Sequence, residues 1–130
     1  MVELMRARIL VVEDNPLNLK LIRDVLEFEG FDVLTARSGE EGVAVASSGG
    51  TDLVLMDLQL PGISGHEALS RIRSDPRCTS VPVVAVTAFA MKDDIESARE
   101  AGFDGYIAKP ISVRALPKQL AAYLPGSSDG

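Results

Sequence analysis

Five short apolar runs alternate with longer amphipathic segments along most of the chain. The runs occupy positions 8–12, 31–36, 52–57, 81–87 and 105–109, and the second of them is the weakest. Runs of this length that are rich in valine, leucine and isoleucine are typical of strands buried on both faces of a parallel sheet. Their alternation with helices predicts an α/β fold, a three-layer doubly wound (βα)5 sheet with helices on both sides.

Signals for helix starts and ends lie between the predicted strands. Asn15-Pro16 starts the first helix and Gly30 ends it. Ser38-Gly39-Glu40-Glu41 opens the second helix, with its acids at the positive end of the helix dipole. The apolar positions of the first helix recur at helical spacing and are expected to be mostly core: Leu17, Leu21, Ile22, Val25 and Leu26.

The last three helices are predicted in the same way. Ser64 is the expected cap of the third, with an acid three residues later. The buried stripe of this helix is expected to contain Ala68, Leu69 and Ile72. A charged fourth helix is predicted from 92 to 101. The fifth, from 112 to 123, contains Pro117, which lacks a backbone donor and therefore predicts a kink or a late start.

Size and composition fit one globular domain of 8–124, with a leader of 1–7 and a polar tail of 125–130. The chain has 130 residues, of which 46% are hydrophobic, and its net charge of −6 argues against broad binding to nucleic acid. No signal peptide or apolar run of membrane-spanning length is visible, so no membrane insertion is expected. Cys78 is the single cysteine, cannot form an intrachain disulfide, and favours a reducing cytoplasmic location.

Chemically distinctive residues stand at the ends of four predicted strands. Glu13-Asp14 follows the first strand and Asp57 ends the third. Thr87 ends the fourth and Lys109 the fifth. Because the carboxyl ends of parallel strands meet at one edge of the sheet, we expect three acids, a hydroxyl and an ammonium to lie together there.

Such a cluster needs a cation. Two carboxylates ~4 Å apart repel each other by about 4 kcal/mol at an effective dielectric of 20. Oxygen ligands favour a hard divalent ion, and Mg²⁺ is the natural choice because it needs only one or two carboxylates. With Lys109 opposite the metal and Thr87 as a hydrogen-bond donor, Asp57 is predicted to be a nucleophile for phosphoryl groups.

From about residue 8 to residue 124, the chain resembles the response-regulator receiver domains of two-component signalling. The resemblance rests on the order and spacing of five motifs: Val11-Val12-Glu13-Asp14-Asn15, Leu55-Met56-Asp57, Leu60-Pro61-Gly62, Val86-Thr87-Ala88 and Lys109-Pro110. It implies a flavodoxin-like topology with strand order 2-1-3-4-5. The segments 15–18 and 86–92 are most similar to stand-alone receivers of the DivK type and to receivers of hybrid kinases.

The resemblance also implies roles for individual residues. Asp57 would accept the phosphoryl group, and Lys109, followed by a cis bond to proline, would pair with that group. The metal, Mg²⁺ or Mn²⁺ in its place, would be held by Glu13 (through water), Asp14, Asp57 and the backbone carbonyl of Gln59. Many relatives have aspartate at the position of Glu13. Thr87 and Tyr106 would form the conformational switch, and Gln59 and Phe89 would screen the phosphoryl group from water.

The implied function is that of a single-domain response regulator rather than an enzyme, because it catalyses only its own phosphorylation and dephosphorylation. The expected phosphodonor is a histidine kinase or a histidine phosphotransfer protein, docked on the first helix and the Pro110 loop. Output would pass to a downstream protein effector or along a phosphorelay, without direct contact to nucleic acid.

Other functions remain possible on the same topology. A flavodoxin-like cofactor protein would need a phosphate loop after the first strand, where Glu13-Asp14-Asn15-Pro16 is acidic. A Mg²⁺-dependent phosphatase would need a second acid at the position of Gln59. A phosphorylation-silent scaffold and a receiver cut from a hybrid kinase are further alternatives.

Single residues also have ordinary structural interpretations. Tyr106 is nearly as well explained as a buried structural tyrosine. His66 is expected to be structural, because it has no second histidine or cysteine nearby in sequence. Cys78 is expected to be an inert residue in a polar loop.

Overall fold

The computed structural model describes residues 7–88 and 92–124. Five strands alternate with five helices in this part of the chain, as the sequence pattern predicts. The strands are β1 (Arg8–Val12), β2 (Asp32–Ala36), β3 (Leu53–Asp57), β4 (Val83–Thr87) and β5 (Gly105–Ala108). The helices are α1 (Pro16–Phe28), α2 (Gly39–Ser47), α3 (Gly65–Ser74), α4 (Lys92–Ala101) and α5 (Leu116–Ala121). None of these helices is long and apolar enough to cross a bilayer.

The strands form one parallel sheet in the order β2-β1-β3-β4-β5, which confirms the order implied by the family resemblance. The central strand β3 pairs with β1 and β4, with Leu55 opposite Val11 on one side and opposite Val84 on the other. All five residues of β3 are buried, and so are all five of β4. The two central strands therefore end inside the protein, and the residues at their carboxyl ends are shielded from water.

Two apolar layers cover the two faces of the sheet. One joins alternate strand residues to α2, α3 and α4, and it includes Met56, Ala68 and Ile72. The other joins the remaining strand residues to α1 and α5, and it includes Leu55, Ile22 and Leu116. Burial of these layers removes the apolar side chains from water, which is the main favourable contribution to folding.

The residues predicted to start the first three helices cap them in the structure. The side chain of Asn15 accepts hydrogen bonds from the backbone N–H groups of Leu17 and Asn18, and Pro16 is the first residue of α1. Ser38 and Ser64 cap α2 and α3 in the same way. Of the two outcomes predicted at Pro117, the late start is confirmed, because α5 begins only at Leu116.

Two predictions about burial are wrong. Leu17 and Leu21, expected to be mostly core, are 78% and 47% exposed, because only the stripe of α1 that contains Ile22 and Leu26 faces the sheet. Cys78 follows α3 in a loop, as expected, but this loop is not polar at that point. The cysteine is 2% exposed and belongs to the apolar layer, and burial raises the pKa of its thiol.

Arg73, at the end of α3, connects this helix to the segment before β4 and to the loop before β5. Its Nη1 donates to the carbonyl oxygen of Val81 at 2.6 Å, and its Nη2 donates to Asp104 Oδ2 at 2.7 Å. The same carboxylate oxygen accepts the backbone N–H of Val83 at 2.7 Å, at the start of β4. One side chain therefore holds α3, the entry to β4 and the loop before β5 together.

We expect Arg73→Met to lower the free energy of unfolding by about 2 kcal/mol, the range for losing hydrogen bonds between charged groups. Urea unfolding followed by circular dichroism measures this change. Arg71→Met is the matched control on the same helix, because the exposed Arg71–Glu67 pair contributes only about 0.3–0.5 kcal/mol. Equal losses in the two variants would contradict the bridging role of Arg73.

Candidate functional site

The carboxyl ends of four strands bring the predicted site residues together at one edge of the sheet. Asp57 is the last residue of β3, and its neighbour in β4 is Val86, directly before Thr87. Thr87 lies opposite Ala108 at the end of β5, and its carbonyl oxygen accepts the backbone N–H of Lys109 at 2.8 Å. Glu13 extends β1 by one residue, because its N–H donates to Ala36 of β2. Parallel pairing thus places residues from distant parts of the chain at one edge.

Asp57 is the most constrained of these residues. It is 2% exposed. Its Oδ2 accepts a hydrogen bond from Lys109 Nζ at 2.9 Å, and its Oδ1 accepts one from the backbone N–H of Gln59 at 2.8 Å. Both carboxylate oxygens are therefore oriented, one by an ammonium and one by the turn that follows the strand.

Three carboxylates crowd this edge. Single oxygens of Glu13, Asp14 and Asp57 lie within 4.8 Å of one another. Glu13 is 3% exposed and accepts a hydrogen bond from the backbone N–H of Asn15 at 3.0 Å. Burial raises the pKa of the Glu13 carboxyl, and the adjacent Asp57 carboxylate raises it further. Burial and the neighbouring carboxylate therefore both disfavour the charged form of Glu13.

Lys109 is the cation of the cluster, and its side chain is 24% exposed. Partial burial acts to lower the pKa of its ammonium. The hydrogen bond to Asp57, the charge of Asp57, and then the charges of Glu13 and Asp14 outweigh that effect and raise the pKa. Lys109 is therefore held in its charged form at neutral pH.

The donor set fits a divalent metal ion. Three carboxylates and one ammonium leave two negative charges when every group is ionised, which a doubly charged ion would balance. All the side-chain ligands are oxygen atoms, the type that Mg²⁺ and Mn²⁺ accept. No side-chain nitrogen or sulfur ligand belongs to this cluster in the described residues.

The other predicted site residues have varied surroundings. Thr87 is 6% exposed at the end of β4. Tyr106 is half-buried on β5 and lines a cavity of about 140 Å³ with Ile95 and Arg99 of α4. The peptide bond between Lys109 and Pro110 is cis. Phe89, expected to help screen the phosphoryl group, lies outside the described residues.

Gln59, the other residue expected to exclude water, is exposed beside Asp57. The ring of His66, which is expected to be structural, packs edge-on against Phe103 with 5.4 Å between centroids.

Sequence reasoning missed Arg37, which lies at the border of the site. Its Nη2 is 3.4 Å from the carbonyl oxygen of Asp14, and its own backbone N–H donates to Glu41. Its position directly after β2 could have predicted a place near the site, because β2 ends at the same edge of the sheet as the strands that carry the acids.

A groove of about 500 Å³ opens next to the cluster. Glu13 and Lys109 form its polar end. The remaining lining residues come mainly from α1 and the loop after β5, and include Leu21, Ile22, Pro110 and Ile111. The groove lies on the surface that the sequence predicts for phosphodonor docking.

Comparisons with known proteins agree with this geometry. The sequence profile of the response regulator receiver domain matches residues 9–121. The polar-differentiation response regulator DivK of Brucella ovis is 44% identical over 120 residues, which are 92% of this chain and 98% of DivK.

Solved structures extend the comparison. The receiver domain of a sensor histidine kinase from Pseudomonas aeruginosa, with a magnesium ion coordinated in its active-site cleft, is 35% identical with a TM-score of 0.83. That match covers 91% of this chain and 97% of the other. The co-crystal structure of the Saccharomyces cerevisiae phosphotransfer protein Ypd1 with the Ssk1 receiver domain matches at 31% identity and a TM-score of 0.83, covering 91% and 88%. Fold, acidic cluster and sequence similarity therefore agree that the chain belongs to the response regulator receiver domain family, as a DivK-like response regulator of two-component signalling.

Proposed function

We propose that Asp57 accepts a phosphoryl group from a phosphohistidine and that the resulting aspartyl phosphate is the signalling state. The observation that carries this proposal is the buried Asp57 carboxylate, held by Lys109 at 2.9 Å beside two further acids. A carboxylate that is oriented at the end of a strand by an ammonium and a backbone N–H is suited to nucleophilic attack.

The proposed reaction transfers one phosphoryl group between two side chains. An oxygen of Asp57 forms a bond to phosphorus as the bond between phosphorus and the donor imidazole nitrogen breaks, and the imidazole leaves with the electron pair of that bond. The Lys109 ammonium, already at the carboxylate, stabilises the charge on the phosphoryl oxygens. The Thr87 hydroxyl would donate a hydrogen bond to one of these oxygens.

Mg²⁺ is the proposed cofactor, with Mn²⁺ able to replace it. Asp14, Asp57 and the backbone carbonyl of Gln59 would hold it directly, and Glu13 would hold it through water. When bound, the ion neutralises acidic oxygens that would otherwise repel the incoming phosphoryl group. The magnesium in the cleft of the Pseudomonas receiver supports this assignment.

The phosphodonor is proposed to be a histidine kinase or a histidine phosphotransfer protein that docks on the start of α1 and the Pro110 loop. Leu17 and Leu21 support this surface, because they are exposed there at 78% and 47% and can bury apolar area against a donor helix. The Ypd1–Ssk1 co-crystal shows that a related receiver is held by a phosphotransfer protein.

Output is proposed to pass through Thr87 and Tyr106 to a downstream protein effector or along a phosphorelay. Tyr106 shares its cavity with α4 and with Tyr123, so an inward turn of its ring would change the surface formed by α4, β5 and α5. The proposed receiver unit is 8–124, with 1–7 as leader and 125–130 as tail. The single cysteine supports a reducing, cytoplasmic location.

Incubation with acetyl phosphate and Mg²⁺ tests the proposal. We expect the intact protein to gain the mass of one phosphoryl group, and to gain none when EDTA removes the metal. The product should be lost on treatment with hydroxylamine, which cleaves acyl phosphates but leaves phosphoserine in place. No gain in the presence of Mg²⁺ would favour the silent-scaffold alternative, and a gain in EDTA would exclude the metal requirement.

A further inference from the structure

The corner between β2 and α2, residues 37–41, contacts two loops that carry proposed metal ligands. On one side, Arg37 Nη2 is 3.4 Å from the backbone carbonyl oxygen of Asp14. On the other side, Glu40 Oε2 accepts the backbone N–H of Ile63 at 3.3 Å. Ile63 lies in the loop between β3 and α3, which begins directly after Asp57. One short segment thus contacts both Asp14 and the loop that follows Asp57.

The contact with the β3–α3 loop is close. A Cβ atom on Gly39 would lie 2.6 Å from Ile63 Cγ1 and 3.0 Å from the Ile63 carbonyl oxygen. A Cβ atom on Gly62 would lie 2.6 Å from Glu40 Oε1. Gly62 has a φ of 76°, a conformation that L side chains rarely adopt. A side chain at position 39 would therefore force Ile63 to shift, whereas position 62 favours glycine because of its backbone conformation.

The corner itself is fixed by its own hydrogen bonds. Ser38 Oγ accepts the backbone N–H of Glu41 at 3.1 Å, and Glu41 Oε1 accepts the backbone N–H of Arg37 at 2.9 Å. This reciprocal capping holds the first turn of α2 in place. Glu41 thus bonds within the corner, whereas the side chain of Glu40 bonds to the β3–α3 loop.

From these contacts we infer that Glu40 is a positioning residue for the metal site. It holds the β3–α3 loop so that the Gln59 carbonyl stays aligned with Asp57 and Asp14. Glu40 does not touch the metal or the phosphoryl group in this scheme, because it acts through the Ile63 amide and the close packing against Gly62. This inference rests on the proposed Mg²⁺ site, and it adds a residue of α2 to the determinants of that site.

The test separates the hydrogen bond of Glu40 from its charge. Glu40→Gln removes the charge and keeps an oxygen that can accept the Ile63 N–H, whereas Glu40→Ala removes both. Glu41→Gln is the charge control on the same helical turn. Mg²⁺ affinity of the unphosphorylated protein is measured by isothermal titration calorimetry at ~0.15 M salt, where the Debye length is about 8 Å and surface charge is partly screened.

We expect Glu40→Ala to bind Mg²⁺ about threefold to tenfold more weakly than Glu40→Gln, the change that corresponds to losing one hydrogen bond. Glu40→Gln and Glu41→Gln should stay within about twofold of each other, since both lose only a partly screened surface charge. Equal affinities of the alanine and glutamine variants of Glu40 would overturn the inference while leaving the metal site intact.

A second measurement does not depend on the metal. Amide hydrogen exchange of Ile63, followed by NMR in metal-free protein, should be faster in Glu40→Ala than in Glu40→Gln, because only the alanine variant lacks an acceptor. Unchanged exchange would show that Glu40 does not restrain the loop. A wild-type protein that binds no Mg²⁺ would instead reject the metal site of the proposed function, and the exchange experiment would still decide whether Glu40 holds the loop.

Discussion

Replacement of Asp57 by asparagine is expected to abolish phosphorylation by acetyl phosphate. The amide has nearly the same shape as the carboxylate, and its oxygen can still accept the N–H of Gln59, which in the wild type donates to Asp57 at 2.8 Å. It has no anionic oxygen to attack phosphorus, so the covalent step loses its nucleophile. Removing a nucleophile lowers such rates by orders of magnitude. Intact-mass measurement after incubation with Mg²⁺ should therefore detect no phosphoryl gain in Asp57→Asn.

Asp52 provides a control at the opposite end of the same strand. It lies just before β3, and its Oδ2 accepts the backbone N–H of Arg8 at 2.8 Å. Asp52→Asn makes the same chemical change far from the acidic cluster and should leave phosphorylation unchanged. A phosphoryl gain that persists in Asp57→Asn would assign the acceptor to another residue and reject the central proposal.

Lys109→Met is expected to slow phosphorylation by about 10²-fold or more, the usual cost of removing one preorganised donor from developing negative charge. In the wild type the ammonium lies 2.9 Å from Asp57 Oδ2, so it is in place before the phosphoryl group arrives. Methionine keeps most of the side-chain length and removes the charge. Rates from single-turnover mass measurements with acetyl phosphate quantify the loss.

Stability gives an independent measure of the same substitution. Without the Lys109 ammonium, the carboxylates of Glu13, Asp14 and Asp57 lose the cation that is hydrogen-bonded to Asp57. We expect the free energy of unfolding to fall by about 1–2 kcal/mol, less than for a fully buried pair because Lys109 is partly exposed. Saturating Mg²⁺ should recover part of this loss, because a ligand that binds only the folded state stabilises it.

Lys118→Met, on the exposed side of α5, is the control for loss of a lysine charge. It should change neither the phosphorylation rate nor the Mg²⁺-dependent stability. A Lys109→Met variant that reacts as fast as wild type would mean that the ammonium takes no part in phosphoryl transfer.

Much of the architecture could be predicted from local pattern. The positions of β3 and β4 follow most clearly from short apolar runs, because a strand buried on both faces has almost no polar residue between its ends. The run that predicts β2 is the weakest, and most residues of β2 are only half-buried. Helix starts followed from residues that act locally: Asn15, Ser38 and Ser64 each bond the first turn of their own helix. The joint placement of Asp57 and Lys109 could be predicted as well, because parallel strands bring their carboxyl ends to one edge.

Exposure on α1 could not be decided from the same pattern. Leu17 and Leu21 fit a helical stripe with Ile22 and Leu26, yet only the latter two face the sheet. Helical spacing identifies an apolar face but not its width, and the rotation of α1 against β1 and α5 determines which side chains are covered. The burial of Cys78 is a similar case, since its Sγ lies 3.5 Å from the carbonyl oxygen of Ile72 in α3.

The sequence by itself determined the order of the elements, the caps, and the acids and lysine that would meet at the sheet edge, because these depend on neighbours along the chain and on one rule of parallel sheets. Only the tertiary structure decided that Arg37 reaches Asp14 and that Glu40 reaches Ile63 across 23 residues. Such contacts depend on how closely two segments approach, and here a Cβ atom at position 39 would lie only 2.6 Å from Ile63 Cγ1. A missing side chain leaves no periodic signal in the sequence, so the packing that it permits is visible only in three dimensions.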